Sequence, residues 1–210
     1  MPVIYTSIIV PGAILLPIIV AIIRKKYWGP PEKVIFAYLL ISGLFNVLAD
    51  QLAARRINNL PFLHLYTVLE FLLITGFFYA TTTGKKERLL IRCLWVFFPL
   101  LAIINIWDLN SIFLYNQIPR SVGAIIVLIL CIHFFMKSLS FYAAPVPFFN
   151  FATVVALLLY FSGSLALFSL SNFIIGNKTI NLLIWNTHAT FVLIMYLIIA
   201  VAYFKTRKDQ

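Results

Sequence analysis

Long apolar runs alternate with short polar breaks along the whole chain. Seven runs stand out, at about Val3–Ile23, Val34–Ala54, Phe62–Thr83, Leu89–Trp107, Ile118–Met136, Phe148–Leu170 and Ile180–Phe204. Each is close to the roughly 20 residues that a helix needs to cross a bilayer. In hydrocarbon every backbone amide needs an internal partner, and runs of this length meet that need as helices. Turn-forming residues lie between the runs or at their starts: Gly29-Pro30-Pro31, Pro61, Gly84, Pro119, Pro145 and Pro147. Pro11, Pro17 and Pro99 fall inside runs, so kinks are expected in the first and fourth helices. The expected fold class is all-α: a polytopic membrane bundle of seven transmembrane helices, forming a single integral membrane domain over residues 1–210.

Composition supports this reading. The chain is 63% hydrophobic and only 10% charged, with a mean hydropathy of +1.02, which excludes an ordinary soluble domain. The net charge of +10 does not imply nucleic acid, because the basic residues cluster at the ends of apolar runs, where they act as topology determinants. One set of connections holds twelve of them: Arg24, Lys25, Lys26, Lys33, Lys85, Lys86, Arg88, Arg92, Lys137, Lys205, Arg207 and Lys208. The other set holds four: Arg55, Arg56, Arg120 and Lys178. Twelve against four predicts an N-terminus outside and a C-terminus in the cytoplasm. The first run lacks a basic leader and a small-residue cleavage site, so it reads as a retained helix. Cys93 and Cys131 read as inert buried thiols toward the same inner side.

The six acidic residues divide into two groups. Glu32, Glu87 and Asp209 sit beside basic residues between runs, whereas Asp50, Glu70 and Asp108 lie within apolar runs or at their ends. An ionisable group in hydrocarbon is costly, which makes it a functional candidate. At 1.5 Å per residue, Glu70 and His188 lie about 12 Å below the outer surface. Asn46 and Asp50 are one turn apart on the second helix, and Asn105 and Asp108 share a face of the fourth. Ser162 and Ser164 bring the sixth helix to the same level. Tyr66 and Thr67 can flank Glu70, while His64 lies about 120° around the helix from it. Asn181, Trp185 and His188 form one stripe on the seventh helix. The expected pocket is therefore Asn46, Asp50, Tyr66, Glu70, Asn105, Trp185 and His188, open to the outside. An alternative is that the same groups act only as hydrogen-bond glue between helices.

Several chemistries fit this set in part. Three converging ligands from His64, His188, Asp50 and Glu70 would be needed for a metal, and no local ligand motif occurs, so no metal and no cofactor are expected. A serine–histidine–acid arrangement would draw on Ser162 or Ser164 with His188 and Glu70. Acid–base hydrolysis would pair Asp50 with Glu70, so Glu70, His188 and Asp50 are the catalytic candidates if the protein is an enzyme. A proton relay through Glu70 would suit a carrier. The seventh helix has no lysine before Lys205, which argues against a retinal Schiff base.

The stretch from Ile57 to Phe71, containing Asn58-Asn59-Leu60-Pro61 and His64-Leu65-Tyr66-Thr67-Val68-Leu69-Glu70, and the later Trp185-Asn186-Thr187-His188, together with Asn46 and Asp50, carry a resemblance. They resemble a group of small, uncharacterised bacterial seven-helix inner-membrane proteins, some encoded beside sensor kinases. That resemblance implies a multi-pass protein of the bacterial inner membrane with a sensory or accessory role. A fainter similarity is to lysoplasmalogenase-like membrane hydrolases, in the order of Asp50, His64 with Tyr66, Ser171-Asn172-Phe173 and His188. The chain departs from that pattern at Ala49, where a glycine is expected, and at Asn172, where a second acid is expected. Its intervals are also shorter, and that family has eight helices. The leading expectation is a receptor or sensor module for a small or lipid-like ligand, in contact with the lipid bilayer and with a membrane kinase or other membrane protein as partner. The alternatives are an intramembrane hydrolase of lysolipid-like substrates and a proton-coupled small-solute carrier.

Overall fold

A computed structural model of the chain describes the backbone of residues 4–139, 145–174 and 178–206. It also describes their side chains, except at 109, 110, 166, 170–174 and 178–181. Val3, Arg207, Lys208 and Asp209 lie outside the described residues, as do the side chains of Ser171, Asn172, Phe173, Lys178 and Asn181.

The described residues are almost wholly helical, with no strand among them. Seven long helices follow in order. They are α1 (Tyr5–Ile23), α2 (Pro30–Ala54), α3 (Leu60–Thr81), α4 (Lys85–Ile104), α5 (Gln117–Ser138), α6 (Phe148–Ile174) and α7 (Lys178–Lys205). All except α4 are long and apolar enough to cross a membrane. The exception is α4 because Lys85, Lys86, Glu87, Arg88 and Arg92 fall in its first two turns. The end of the bundle that carries the 55–59 and 105–116 connections is here called the upper end.

Local chemistry accounts for the breaks. α1 opens as a π-helical turn, Tyr5–Ile9, continues over Val10–Ala13, and restarts at Leu15 after a turn at Ile14. Pro17 has no N–H to give the Ala13 carbonyl, so the expected interruption falls there. α2 starts where Pro30 and Pro31 occupy first-turn positions that need no amide donor, and Glu32 accepts the Gly29 N–H at 2.9 Å. It ends in a Schellman motif. Arg56 adopts φ 58°, its N–H reaches the Ala53 carbonyl at 3.0 Å, and Ile57 N–H reaches that of Leu52 at 2.9 Å.

The fourth helix differs from its expected course. It runs unbroken through Pro99 but stops at Ile104, before Trp107. Asp108 therefore lies beyond the helix and not on a shared face with Asn105. There its carbonyl accepts the Ser111 hydroxyl at 2.6 Å and the Ser111 N–H at 3.0 Å, which turns the chain into a 3₁₀ segment, Leu109–Phe113.

Packing runs α1–α2–α3–α5–α6–α7 and returns to α1, while α4 rests outside on α3 and α5. α6 and α7 approach closely at Gly163, where a Cβ would run into the Phe191 ring of α7. A second close approach places Gly123 of α5 under Phe98, whose ring stacks on Phe71 at 3.8 Å. At the lower end the basic side chains are held in place. Lys205 lies over Phe148, Arg24 over Phe204 and Arg88 over Tyr79, and Lys137 bridges both Glu87 oxygens at 3.0 Å. Cys93 is exposed, Cys131 is buried, and both are free thiols.

Candidate functional site

Polar side chains recur at four-residue steps on helices that are otherwise apolar. α2 carries Tyr38, Ser42 and Asn46, α3 carries Tyr66 and Glu70, and α6 carries Tyr160 and Ser164, with the apolar Phe168 one turn further on. Such stripes face inward together, because residues four apart lie one above the other on a helix. In the upper half of the bundle they surround a cavity of about 680 Å³.

Glu70 lies behind this cavity and not on its wall. It is 4% exposed and buried against Arg120, whose Nη2 lies 3.6 Å from its Oε2. Its Oε1 accepts the Tyr66 hydroxyl at 3.1 Å and faces the Tyr38 hydroxyl at 3.4 Å, and Tyr160 also bonds the carboxylate. Tyr66 spends its single proton on Glu70, so Ser42, at 3.0 Å, donates to the Tyr66 oxygen. The result is a directed chain from Ser42 through Tyr66 to Glu70. Tyr38 also contacts Met195 Sδ at 3.8 Å, and Tyr196 bonds Asn46, which ties α7 to the same network.

Arg120 belongs to the first turn of α5 and is 7% exposed. Its guanidinium lies 4.4 Å from the centroid of the Phe168 ring and reaches the cavity wall. This corrects its assignment to an outer connection, where Asp50, Asp108 and the interface would have been its neighbours. The helix already begins at Gln117, so Arg120 falls within its first turn and its side chain turns inward to Glu70. Next to it, the buried Asn116 donates to Thr67 Oγ1 at 2.7 Å, fixing the turn before α5 against α3.

His188 of α7 also lines the cavity, and the Phe168 ring stands against both it and Arg120. Ser164 Oγ and His188 Nδ1 are 2.7 Å apart, and the rings of Tyr160, Phe168 and Trp185 stand 5.6–5.9 Å from the imidazole. Ser164 is fully buried and does not line the cavity. Ser162 is exposed and bonds the Leu159 carbonyl of its own helix.

Of the expected pocket residues, Asn46, Tyr66, Trp185 and His188 line the cavity. Asp50 is exposed on the last turns of α2, while Ala49 beside it faces the cavity. Each four-residue step overshoots a full circle by about 40°, so three steps from Tyr38 carry Asp50 roughly 120° off the stripe. Asn105 is half-buried at the end of the peripheral α4 and is not on the cavity wall. His64 turns away from Glu70, as its spacing requires, and bonds the Leu114 carbonyl at 3.0 Å. No cluster of three metal-ligating side chains occurs among the described residues.

The residues that sequence reasoning missed are Arg120, Tyr38, Tyr160 and Tyr196. The tyrosines counted as apolar in the marking of spans, but the four-residue step from Tyr38 to Ser42 to Asn46 was readable. A second cavity of about 720 Å³ lies at the lower end, beside the Glu87–Lys137 pair. Comparison of the chain with known protein families, characterised proteins and solved structures finds no match.

Proposed function

We propose that this chain is an integral membrane binding module whose upper cavity takes a small or lipid-like ligand from outside the cell. The observation that carries this reading is the site itself: a cavity of about 680 Å³ with aromatic and aliphatic walls, set against one buried ion pair and a fan of tyrosine hydroxyls. Ligand sites typically have this volume and this mix of apolar lining with few convergent polar groups. Of the buried charged side chains among the described residues, Glu70 and Arg120 lie at that cavity, and Glu32 lies in the first turn of α2, where it caps the helix.

In this reading all seven helices cross the bilayer. The charges of α4 are confined to its first turns, and Val96, Phe97, Leu100, Ile103 and Ile104 present an exposed apolar face beyond them. With Arg120 turned inward, the flanking basic residues divide twelve to three, which supports an upper end outside and a C-terminus in the cytoplasm, and the resemblance suggests a bacterial inner membrane. Ligand occupancy passes to a membrane partner, for which the resemblance suggests a sensor kinase. A C-terminal reporter fusion checks the orientation, and activity of an externally active reporter would reverse it.

The Ser164–His188 hydrogen bond supports a second reading, hydrolysis of a lysolipid-like substrate. Burial of the serine oxygen away from the cavity weighs against it. Mass spectrometry of the protein purified in native lipid, wild type beside Glu70→Gln, separates the two. A co-purifying molecule retained by the wild type and lost from a folded Glu70→Gln protein is the expected result. Turnover of added lysolipid, lost in Ser164→Ala, would instead make the protein a hydrolase. Neither signal would reduce the polar cluster to interhelical glue.

A further inference from the structure

We propose that Arg120 is the head-group anchor of the upper cavity, holding the oxyanion of a single-chain anionic amphiphile whose tail lies along the apolar wall. This rests on the binding reading above and deepens it by fixing the charge and shape of the ligand.

The argument starts from unused donors. A guanidinium offers five N–H groups in a fixed fork suited to carboxylate and phosphate. Arg120 is more than nine-tenths buried, yet its single charged partner lies at 3.6 Å, well beyond the roughly 2.7–2.9 Å of a charge-assisted hydrogen bond. Its Nε has no hydrogen-bond partner among the described residues. Phe168 covers one face of the guanidinium, so an acceptor must approach in its plane. Nε is itself shut off from the cavity, so the terminal nitrogens of the fork, with Glu70 Oε2 3.6 Å from Nη2, are the donors that an oxyanion in the cavity would meet.

Placement decides the sign of the ligand. Arg120 lines the cavity and Glu70 does not, and the hydroxyls of Tyr38 and Tyr66 lie between the space and the carboxylate with their protons turned to Glu70. A ligand therefore meets the cation first. The aromatic lining would by itself suit a quaternary ammonium group, but a fixed guanidinium in the same wall repels one. Away from Arg120 the wall is formed by Val10, Leu63, Leu167, Val192 and Met195, which can take a hydrocarbon chain and offer nothing to a free ion.

The test is calorimetric titration of the full chain in phosphatidylcholine vesicles at about pH 8, where a phosphate monoester carries close to two charges. Heats from protein-free vesicles are subtracted. The probes are dodecyl phosphate, dodecanol, dodecyltrimethylammonium and inorganic phosphate. Dodecyl phosphate is expected to bind at least about tenfold tighter than dodecanol. In Glu70→Gln/Arg120→Gln, which keeps the locus neutral, that ratio should fall below about twofold. Arg120→Lys, which keeps the charge but loses the fork, should give an intermediate ratio and serves if the double variant does not fold. Equal binding of the two chains, a ratio that survives in both variants, or preference for the ammonium probe would overturn the anchor and leave the cavity reading standing. Inorganic phosphate binding as tightly as dodecyl phosphate would overturn the amphiphile and mark a free anion as the ligand. Binding of no probe would overturn both the anchor and the cavity reading.

Discussion

Glu70 and Arg120 show how a single pair of side chains can dominate a membrane interior. Removing one partner leaves the other charged and buried, which in proteins costs about 3–5 kcal/mol. Glu70→Gln and Arg120→Gln should each lower unfolding stability by about 3 kcal/mol, while the double variant should lose clearly less than their sum. Reversible unfolding in mixed micelles reads the cycle, and additive losses would mean that the 3.6 Å contact is not a functioning ion pair. Glu87 behaves differently because it lies outside the apolar part of α4, half-buried at the lower end. Hydrogen bonds from Thr82, then Lys137 and His133, hold its carboxyl down at about 2. A depressed folded-state value contributes stability above the ordinary carboxylate range and loses it as pH falls toward 2. Wild type should therefore weaken by a modest amount between about pH 4.5 and 2, where Glu87→Gln shows a flatter profile. Equal slopes in a thermal-unfolding series across that range would refute the linkage.

Apolar run length made the helices legible, but what each helix faces was only partly so. Span marking found all seven helices to within a few residues. It failed at Trp107, because hydropathy does not register that Asn105 and Asp108 favour a turn. It missed Arg120 because a basic residue near the end of a run is ordinarily a flanking charge, and only tertiary packing turns it inward. Tyr38, Tyr160 and Tyr196 were hidden by their own amphipathic nature, as apolar bodies with a polar tip. Helix pairing was not legible either, since it depends on close approaches such as that of α6 and α7 at Gly163. A methyl group there would run into the Phe191 ring. Small residues at membrane helix contacts let backbones approach closely. Gly163→Ala should cost about 1–3 kcal/mol through overpacking, in spite of the gain in helix propensity. It should also weaken the neighbouring Ser164–His188 contact. An unchanged thermal midpoint would show that Phe191 swings aside freely and that the contact does not set the spacing.

At the scale of the whole molecule, the polar and apolar halves of the bundle differ sharply, and this bears on whether anything crosses it. Above Tyr38 the interior holds a cavity, an ion pair and a histidine. Below it a layer of fully enclosed side chains, Ile35, Ile74, Phe77, Leu157 and Ile199 among them, lies between that site and the buried Glu32 and Tyr203 and the second cavity beside Glu87 and Lys137 at the lower end. Two threonines interrupt this plug. Thr75 bonds the Phe71 carbonyl at 2.7 Å and accepts the Trp95 indole at 2.9 Å, so it is committed within the helix pair, and the Thr153 hydroxyl is buried without a hydrogen-bond partner among the described residues. A proton leaving Glu70 downward would meet packed hydrocarbon, and a bare charge in such a medium costs many kcal/mol. A carrier needs polar groups, or room for water, on both sides of its relay. Proteoliposomes containing a trapped pH dye should therefore acidify no faster than protein-free vesicles under an imposed gradient, for wild type and Glu70→Gln alike. Flux in wild type that disappears in Glu70→Gln would mean that the lower plug opens, and the protein would then be a carrier whose outward-facing state is the one described. Absence of such flux would favour the binding reading proposed above, in which Glu70 orients Arg120 at the cavity wall and ligand occupancy would be conveyed by movement of the helices themselves.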